Sequence, residues 1–379
     1  MLVLSVATLL VLGLIMLYST SAYAHDQHAH GEPLYFLKRQ AAWLGVGTVL
    51  CVLAARKDYH FWQRYWFVWF SLSVVLLVLC FVPHIGQRIN GSSRWLNLRV
   101  AAFQPSELAK LAAITALASW FRHDDRSAGE LFRGFVYPLL GVGILLALIA
   151  PEVDLGTTLL IGATTYIVMF VAGSRLRYLL PIVVIAAVGF WYATLHMPDR
   201  VNRIMAYRHP ELYPSSFYQQ DQGLIAFGSG GIDGVGLGMG IQKIGYLPFA
   251  HTDFILATLG EELGLRCTLA VVVLYITIIM SGAIIASHAR DRFGLLLGVG
   301  ITVIIALQAA VNIGVTTALL PNKGMPLPFI SYGGSNLALN LLFVGILINI
   351  YRNGASDREH QSAAIQLAVT TRRRRCMKI

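Results

Sequence analysis

The sequence predicts an all-α polytopic membrane protein of about ten transmembrane helices, with a large extracytoplasmic loop between helices seven and eight. Three observations carry that prediction. Hydrophobic residues make up 56% of the 379-residue chain and charged ones 13%, with a mean hydropathy of +0.64, against a charged share of about 25% in soluble domains. Apolar windows long enough to cross a hydrocarbon layer of about 30 Å recur along the chain. The lysines and arginines between those windows fall mostly in alternate connections, as the positive-inside rule requires.

The first window, residues 2–18, is followed by Ala22-Tyr23-Ala24, a small-x-small pattern suited to signal peptidase. No lysine or arginine precedes it, and a cleaved signal has a basic start and a shorter apolar run, so the segment is read as a retained helix. Spans two to seven follow at 40–55, 65–83, 104–121, 134–150, 156–173 and 177–195. A polar stretch, 196–252, precedes spans eight to ten at 254–286, 294–318 and 333–351. Residues 1–355 therefore read as a single transmembrane domain and 356–379 as a basic cytoplasmic tail.

Arg56, Lys57 and Arg64, then Arg122, Arg126 and Arg133, then Arg175 and Arg177, then Arg290 and Arg292 follow even-numbered spans, as does the tail with Arg372 to Arg375. Those segments are expected in the cytoplasm, which puts both termini inside and the odd-numbered connections outside. Two outer connections break the rule: one carries Arg88, Arg94 and Arg99, the other Arg200, Arg203, Arg208 and Lys243. Long loops escape it, but a short basic outer loop reads either as scatter or as a cationic surface for an anionic ligand. The net charge of +10 needs no nucleic acid, because anionic lipid headgroups suffice. Cys51, Cys80 and Cys267 lie in apolar spans and Cys376 in the tail, so neither a disulfide framework nor a zinc spacing is present.

Within 196–252 the run Phe227-Gly-Ser-Gly-Gly-Ile-Asp-Gly-Val-Gly-Leu-Gly-Met-Gly240 contains Gly-x-Gly patterns. No strand precedes them and no βαβ unit surrounds them, which excludes a dinucleotide fingerprint and leaves no organic cofactor expected. Tight turns packing at the membrane face, or a backbone cradle for phosphate, both remain open. Residues 319–335 place three prolines and three glycines near the bilayer, a backbone that must pack on protein or line a wet cavity unless it is simply a rigid turn.

Ionisable residues at membrane depth are costly and default to functional hypotheses. Asp253, where the long loop enters span eight, is the foremost of them. Glu261 and Glu262 lie two to three turns further along the same span, with Glu261 about 12 Å deeper than Asp253 on a continuous helix. Glu107 and Lys110, at i and i+3, share one helical face and read as an internal ion pair. Asp154, at the start of span six, reads as a helix cap or a cavity-lining acid.

Beyond these residues, the chain resembles the SEDS family of cell-wall polymerases, the FtsW, RodA and SpoVE proteins. The matching stretches are Gly13 with Tyr18-Ser-Thr-Ser21, Asn90-Gly-Ser-Ser-Arg-Trp-Leu-Asn97, Gln104-Pro-Ser-Glu-Leu-Ala-Lys110, Asp154-Leu-Gly-Thr157, Tyr218 with Gln219 and Gln222, the glycine-rich run, His251-Thr-Asp-Phe254 with Glu261-Glu-Leu-Gly264, and Pro326-Leu-Pro-Phe-Ile-Ser-Tyr-Gly-Gly-Ser335. Gln242-Lys243 and Leu320-Pro-Asn-Lys-Gly324 are more similar to the division branch, FtsW, than to RodA. The resemblance implies polymerisation of lipid II by glycosyl transfer on the outer face of the bacterial cytoplasmic membrane, with undecaprenyl diphosphate released. It implies Asp253 as the essential acid, Arg94 and Trp95 in the working outer loop, Ser331 in the last motif, Glu107 with Lys110 as the buried pair, and Asp154 as the span-six acid. Partners implied are a class B penicillin-binding transpeptidase and division membrane proteins. One departure stands out: the family has proline directly before the span-six acid, whereas Pro151-Glu152-Val153-Asp154 inserts two residues, which leaves Glu152 as a competing candidate.

The residues suit that chemistry. A hydroxyl attacking an anomeric carbon needs a base, and carboxylates serve in glycosyl chemistry. A diphosphate leaving group needs cations, for which Arg94, Arg203 and Lys243 are candidates, with a divalent magnesium or manganese ion on Asp253 sharing the load. The competing reading is a lipid II flippase, which would gather polar groups near the midplane beside broken helices.

Overall fold

Every predicted span is occupied by a helix. The structure is a computed structural model and describes residues 1–21, 34–83, 85–89, 92–97, 102–122, 128–152, 154–195 and 198–376; Ala22–Ala24, Arg99 and Arg126 lie outside them. In chain order the spans are α1 (Leu2–Ser21), α2 (Tyr35–Arg56), the short α3 (His60–Arg64) with α4 (Trp66–Leu79), α5 (Pro105–Trp120), α6 (Tyr137–Ile149), α7 (Leu155–Val171) and α8 (Leu176–Leu195). The polar stretch that follows is itself largely helical, with α9 (Pro198–Arg208) and α10 (Pro214–Gly230), before α11 (Ile255–Ser287), α12 (Arg292–Thr316) and α13 (Gly334–Cys376). The large loop expected at 196–252 thus contains helices: Pro198, Pro210 and Pro214 each start a helical segment, as proline does at a first turn. α13 continues without a break through the predicted tail boundary.

Polar residues fix several helix ends. Asp154 caps α7 by accepting from Thr157 N at 3.1 Å, and Asp291 caps α12 by accepting from Gly294 N at 3.2 Å, each satisfying a donor the helix leaves open. Between α4 and α5 lies a small antiparallel sheet, β1 (Gly86–Ile89), β2 (Ser92–Asn97) and β3 (Ala102–Phe103), in that order. α5, α12 and α13 are largely enclosed, whereas α2 and α8 turn residues such as Val49, Leu53, Val184 and Val188 outward, where lipid replaces protein as the apolar surrounding.

The 33-residue apolar run of α11 is two helices, not one. Gly264 has φ +73° and ψ −177°, a conformation open to glycine and strained for other residues. The interrupted backbone is repaired from outside: Leu265 N and Arg266 N donate to Gly231 O and Ile232 O, while Val235 N and Gly236 N donate to Glu261 O and Glu262 O. The glycine run thus fills the gap in the helix ladder. A Cβ on Gly264 would stand 2.4 Å from Gly234 N, and one on Gly234 2.2 Å from Glu262 O, so both glycines are required by close approach.

This corner reverses the depth expected for Glu261. Gly282 lies against Thr302 and Gly298 against Ala286, so α12 and the second arm of α11 run antiparallel. At 1.5 Å per residue, Asn312 then stands level with Val272, about 12 Å from Gly264 along the bundle. Asn312 donates to Asp253 O at 2.8 Å. A second ruler agrees: on α1, Ser19 contacts Glu262, while Gly13 packs on Ile330, next to the Ser331 that holds Thr252. Those α1 positions are about 9 Å apart. The first arm of α11 therefore climbs from Asp253 toward the end of the bundle, and the second descends past it. Asp253 is the deeper acid, by about 10 Å, and Glu261 the shallower.

Candidate active site

Asp253 sits in the turn entering α11, with its backbone clipped from two sides. Asn312 Nδ2 holds Asp253 O at 2.8 Å and Met325 O at 2.7 Å; Ser331 Oγ donates to Thr252 O at 2.6 Å and accepts from Leu327 N at 2.7 Å. The proline-rich segment between α12 and α13 accordingly packs inside the protein, with Leu327, Phe329, Ile330 and Ser331 buried. Below it, Gln308 Nε2 donates to Pro326 O at 2.9 Å, while Gln308 Oε1 accepts from Lys110 Nζ at 3.1 Å. Lys110 pairs with Glu107 at 2.8 Å, and Asn336 donates to Glu107 at 3.1 Å. Glu107 and Lys110 thus form a buried, hydrogen-bonded pair that supports the floor of the site, the arrangement by which a bundle tolerates either charge.

Among the described residues, the Asp253 carboxylate accepts no hydrogen bond, and the residue is only partly buried. Desolvation pushes its pKa up to about 6; Arg94 opposes that rise and Asp154 adds to it. Asp154 accepts from Gln104 Nε2 at 3.1 Å and from Thr157 Oγ1 at 2.8 Å, and lies 4.0 Å from Arg94 Nη1. Glu152, the competing acid, is fully buried beside Cys80 instead. The two acids differ in place: Asp154 caps α7 and lies 4.0 Å from Arg94 Nη1, whereas Glu152 caps no helix there.

Lys323 was not singled out by sequence, and it belongs here. Its Cε comes within 3.3 Å of a Cβ position on Gly156, where Asp154 Oδ1 lies at 3.4 Å, and a Cβ on neighbouring Gly324 would meet Asp253 Oδ2 at 2.5 Å. A lysine inside a proline-rich, membrane-depth segment was the available signal. Asn312 and Gln308, lone amides on an otherwise apolar span, were the others.

The remaining candidates are placed elsewhere or already engaged. Lys243, expected at a diphosphate, is enclosed: Nζ contacts Glu262 Oε1 at 2.5 Å, Ser19 Oγ at 2.7 Å and Gly238 O at 2.9 Å. Glu261 accepts from Ile241 N at 2.8 Å and Gln242 N at 3.2 Å, and Glu262 from Gly238 N at 2.9 Å. Backbone amides at the end of the glycine run and just after it thus cradle the protein's own carboxylates. Ser331 spends its hydroxyl on the clip just described. Trp95 pairs with Gln87 on β1 and is partly exposed, while Arg94 before it is the extra residue of a register shift in β2. Arg203 is exposed on α9.

Two hard oxygen ligands, Asp253 and Asp154, suit a magnesium or manganese ion that takes its other ligands from substrate phosphates. The missing side chain of Gly324 leaves room in front of Asp253. No cluster of three or more His, Cys, Asp or Glu residues able to hold a metal occurs among the described residues. The break in α11 is a feature expected of a transporter, yet its freed backbone groups are consumed by the glycine run.

Comparison with known proteins gives a consistent picture. The family model for cell cycle proteins of the FtsW, RodA and SpoVE type matches residues 1–356. A probable peptidoglycan glycosyltransferase FtsW of Geobacter metallireducens is 40% identical over 339 residues, 89% of this chain and 90% of that protein. Stage V sporulation protein E of Bacillus subtilis is 38% identical over 356 residues, 93% of this chain and 96% of that one. Among solved structures, a chain from a peptidoglycan synthase complex coordinating polymerization and crosslinking superposes with a TM-score of 0.75 at 25% identity, covering 93% of this chain and 97% of its own. The rod shape determining protein RodA of Thermus thermophilus does so at 0.67 and 27%, covering 93% and 96%.

Proposed function

Because the chain belongs to the FtsW, RodA and SpoVE family of multi-pass membrane proteins, we propose that it is a peptidoglycan glycosyltransferase that polymerises lipid II, with Asp253 as its base. The observation that carries this reading is the Asp253 carboxylate itself: without a hydrogen-bond donor among the described residues, partly accessible, and within the field of Arg94. A base works best with a pKa near the operating pH, and a value of about 6 leaves most of the carboxylate ionised at neutrality.

In the reaction, an acceptor hydroxyl attacks the anomeric carbon of a donor sugar. Asp253 takes the hydroxyl proton, the new C–O bond forms, and the bond from that carbon to the diphosphate breaks with its electron pair on the leaving oxygen. Arg94 and Lys323 face that developing charge. Asp154 and Gln104 orient the arginine. A divalent cation held by Asp253 and Asp154 would supply further neutralisation of the diphosphate.

The membrane position supports an interfacial reaction on the outer face of the cytoplasmic membrane. Positive-inside charge puts the site end of the bundle outside and both termini in the cytoplasm. Arg266 and Asp233, an exposed ion pair just beyond the Gly264 corner, belong at the headgroups, since an exposed charge pair cannot sit in hydrocarbon. Asp253 then lies about 10 Å below the rim, within reach of a lipid-linked diphosphate. The greater similarity to FtsW and SpoVE relatives favours a septal role, with a class B penicillin-binding transpeptidase and other division membrane proteins as partners.

The test is polymerisation of labelled lipid II by the purified protein with its partner transpeptidase. Wild type forms glycan strands and Asp253→Ala does not. Full polymer from the variant overturns the assignment, and translocation without polymer from wild type replaces it with the flippase.

A further inference from the structure

Two residues before Asp253, the start of α2 meets the turn before α11. The His251 ring stacks on Phe36 at 4.4 Å, Tyr332 packs edge-on against Phe36 at 5.0 Å, and Tyr35 does so at 5.3 Å. Arg39 reaches back over the Tyr35 ring at 5.2 Å and donates to Tyr35 Oη at 2.7 Å. Phe36 is buried, whereas Tyr35, Arg39, His251 and Tyr332 are each partly exposed.

We propose that Tyr35, Arg39, His251 and Tyr332 form a carbohydrate-binding track that holds a strand of N-acetylated hexoses beside Asp253. The proposal rests on the glycosyltransferase reading and adds to it the subsite for the growing sugar chain. Three features carry it.

The first is chemical. The C–H faces of a pyranose pack on the electron-rich faces of aromatic rings, and a guanidinium offers five donors to hydroxyl and acetamido oxygens. The second is rigidity: Gln40 donates to Ser331 O at 3.1 Å and accepts from Gly333 N at 3.2 Å, so α2 is clamped to the same segment that holds Thr252. The track and the base are therefore fixed in one frame, which a positioned reaction requires.

The third is direction. Gln40 is level with Ser331, and Tyr35 stands five residues closer to the start of α2, about 7 Å nearer the rim. The rings thus rise from the acid toward the end of the bundle, the path a hydrophilic polymer must take to leave a site sunk below the headgroups. An aromatic belt that only anchors the protein in lipid has no need of a clamp to the Asp253 turn.

The experiment uses full-length protein carrying Asp253→Ala, so that no turnover intervenes, and a soluble tetrasaccharide of N-acetylglucosamine as the probe. Saturation-transfer NMR and titration calorimetry are expected to show binding that Tyr35→Ala and Tyr332→Ala each weaken about tenfold, while Tyr35→Phe and Tyr332→Phe stay within about threefold. In protein that retains Asp253, lipid II then gives shorter strands from the track variants than from wild type by gel analysis. Unchanged affinity in both alanine variants, or no binding to the parent, overturns the track and assigns the rings to lipid anchoring. Should both alanine variants fail to fold, Arg39→Gln must weaken tetrasaccharide binding at least threefold for the track to stand. Absence of polymer from wild type with binding intact overturns the glycosyltransferase reading and leaves the track.

Discussion

Two groups of carboxylates lie about 10 Å apart at one end of this bundle, and they are treated in opposite ways. Glu261 and Glu262 accept from three backbone amides, a serine and a lysine, and both are buried. Asp253 accepts no hydrogen bond among the described residues, yet its backbone is clipped by Asn312. The first pair spends its charge on architecture, closing the corner at Gly264. The second site withholds a carboxylate from architecture while fixing where it points. Asp253 is thus set apart by a fixed backbone and a carboxylate that is open and partly accessible, unlike the enclosed Glu152, and the contrast can be broken by experiment.

The largest difference is expected in turnover. Asp253→Asn lowers polymerisation about 10³-fold, in the range a lost base costs, with thermal stability retained, because no partner of the carboxylate is orphaned. Lys243→Met does the reverse in kind: it strands Glu262 without its cation and destabilises by about 3 kcal/mol or more, visible in thermal denaturation. Pairing it with Glu262→Leu recovers part of that loss. A Lys243→Met protein of wild-type stability would erase the distinction drawn between the two groups.

Gly264→Ala is expected to cost about 2 kcal/mol, from the positive φ and the contact with Gly234. It also displaces the arm that leads to Asp253, so its specific activity falls with its stability. Retained activity at lowered stability would uncouple the corner from the site.

The smallest effect is a pH limb. Asp253 must be ionised to act, so rate rises through about pH 6 and levels off above it. At pH 5 the initial rate is about tenfold below the plateau. Because the Asp154 charge raises the Asp253 pKa, Asp154→Asn moves the limb to lower pH, whatever it does to the plateau. A limb that stays in place with Asp154→Asn would separate the two acids.

The helices were legible because hydrophobic length and lysine and arginine placement act locally along the chain. Pro105 at the start of α5 and Asp154 at the start of α7 were legible for the same reason. The order of depth was not. A run of apolar residues from Ile255 to Ser287 reads as one helix, and only the approach of Gly234, distant in sequence, shows that Gly264 is a corner. Lys243 misled likewise: a lysine in a polar outer stretch looks available until its fold partner, Glu262, is known. Asp253 was legible as an acid in an unusual place; its frame of Asn312 on α12 and Ser331 in the segment after it lies far away in sequence and was not. The flank formed by Tyr35 and His251 joins residues more than two hundred positions apart.

The Gly264 corner also bears on how the chain enters a membrane. During synthesis the insertion machinery meets a segment of 33 residues, hydrophobic except for Glu261, Glu262 and Arg266 near its start, far longer than one crossing needs, and two registers compete for the bilayer. Arg266 decides between them. With its charge held at the headgroups, the uncharged stretch behind it crosses, and the leading arm is left over, free to fold back once the glycine run arrives to seal it. A protein stalled before that sealing would be correctly threaded and catalytically dead, a maturation defect that no count of spans could reveal.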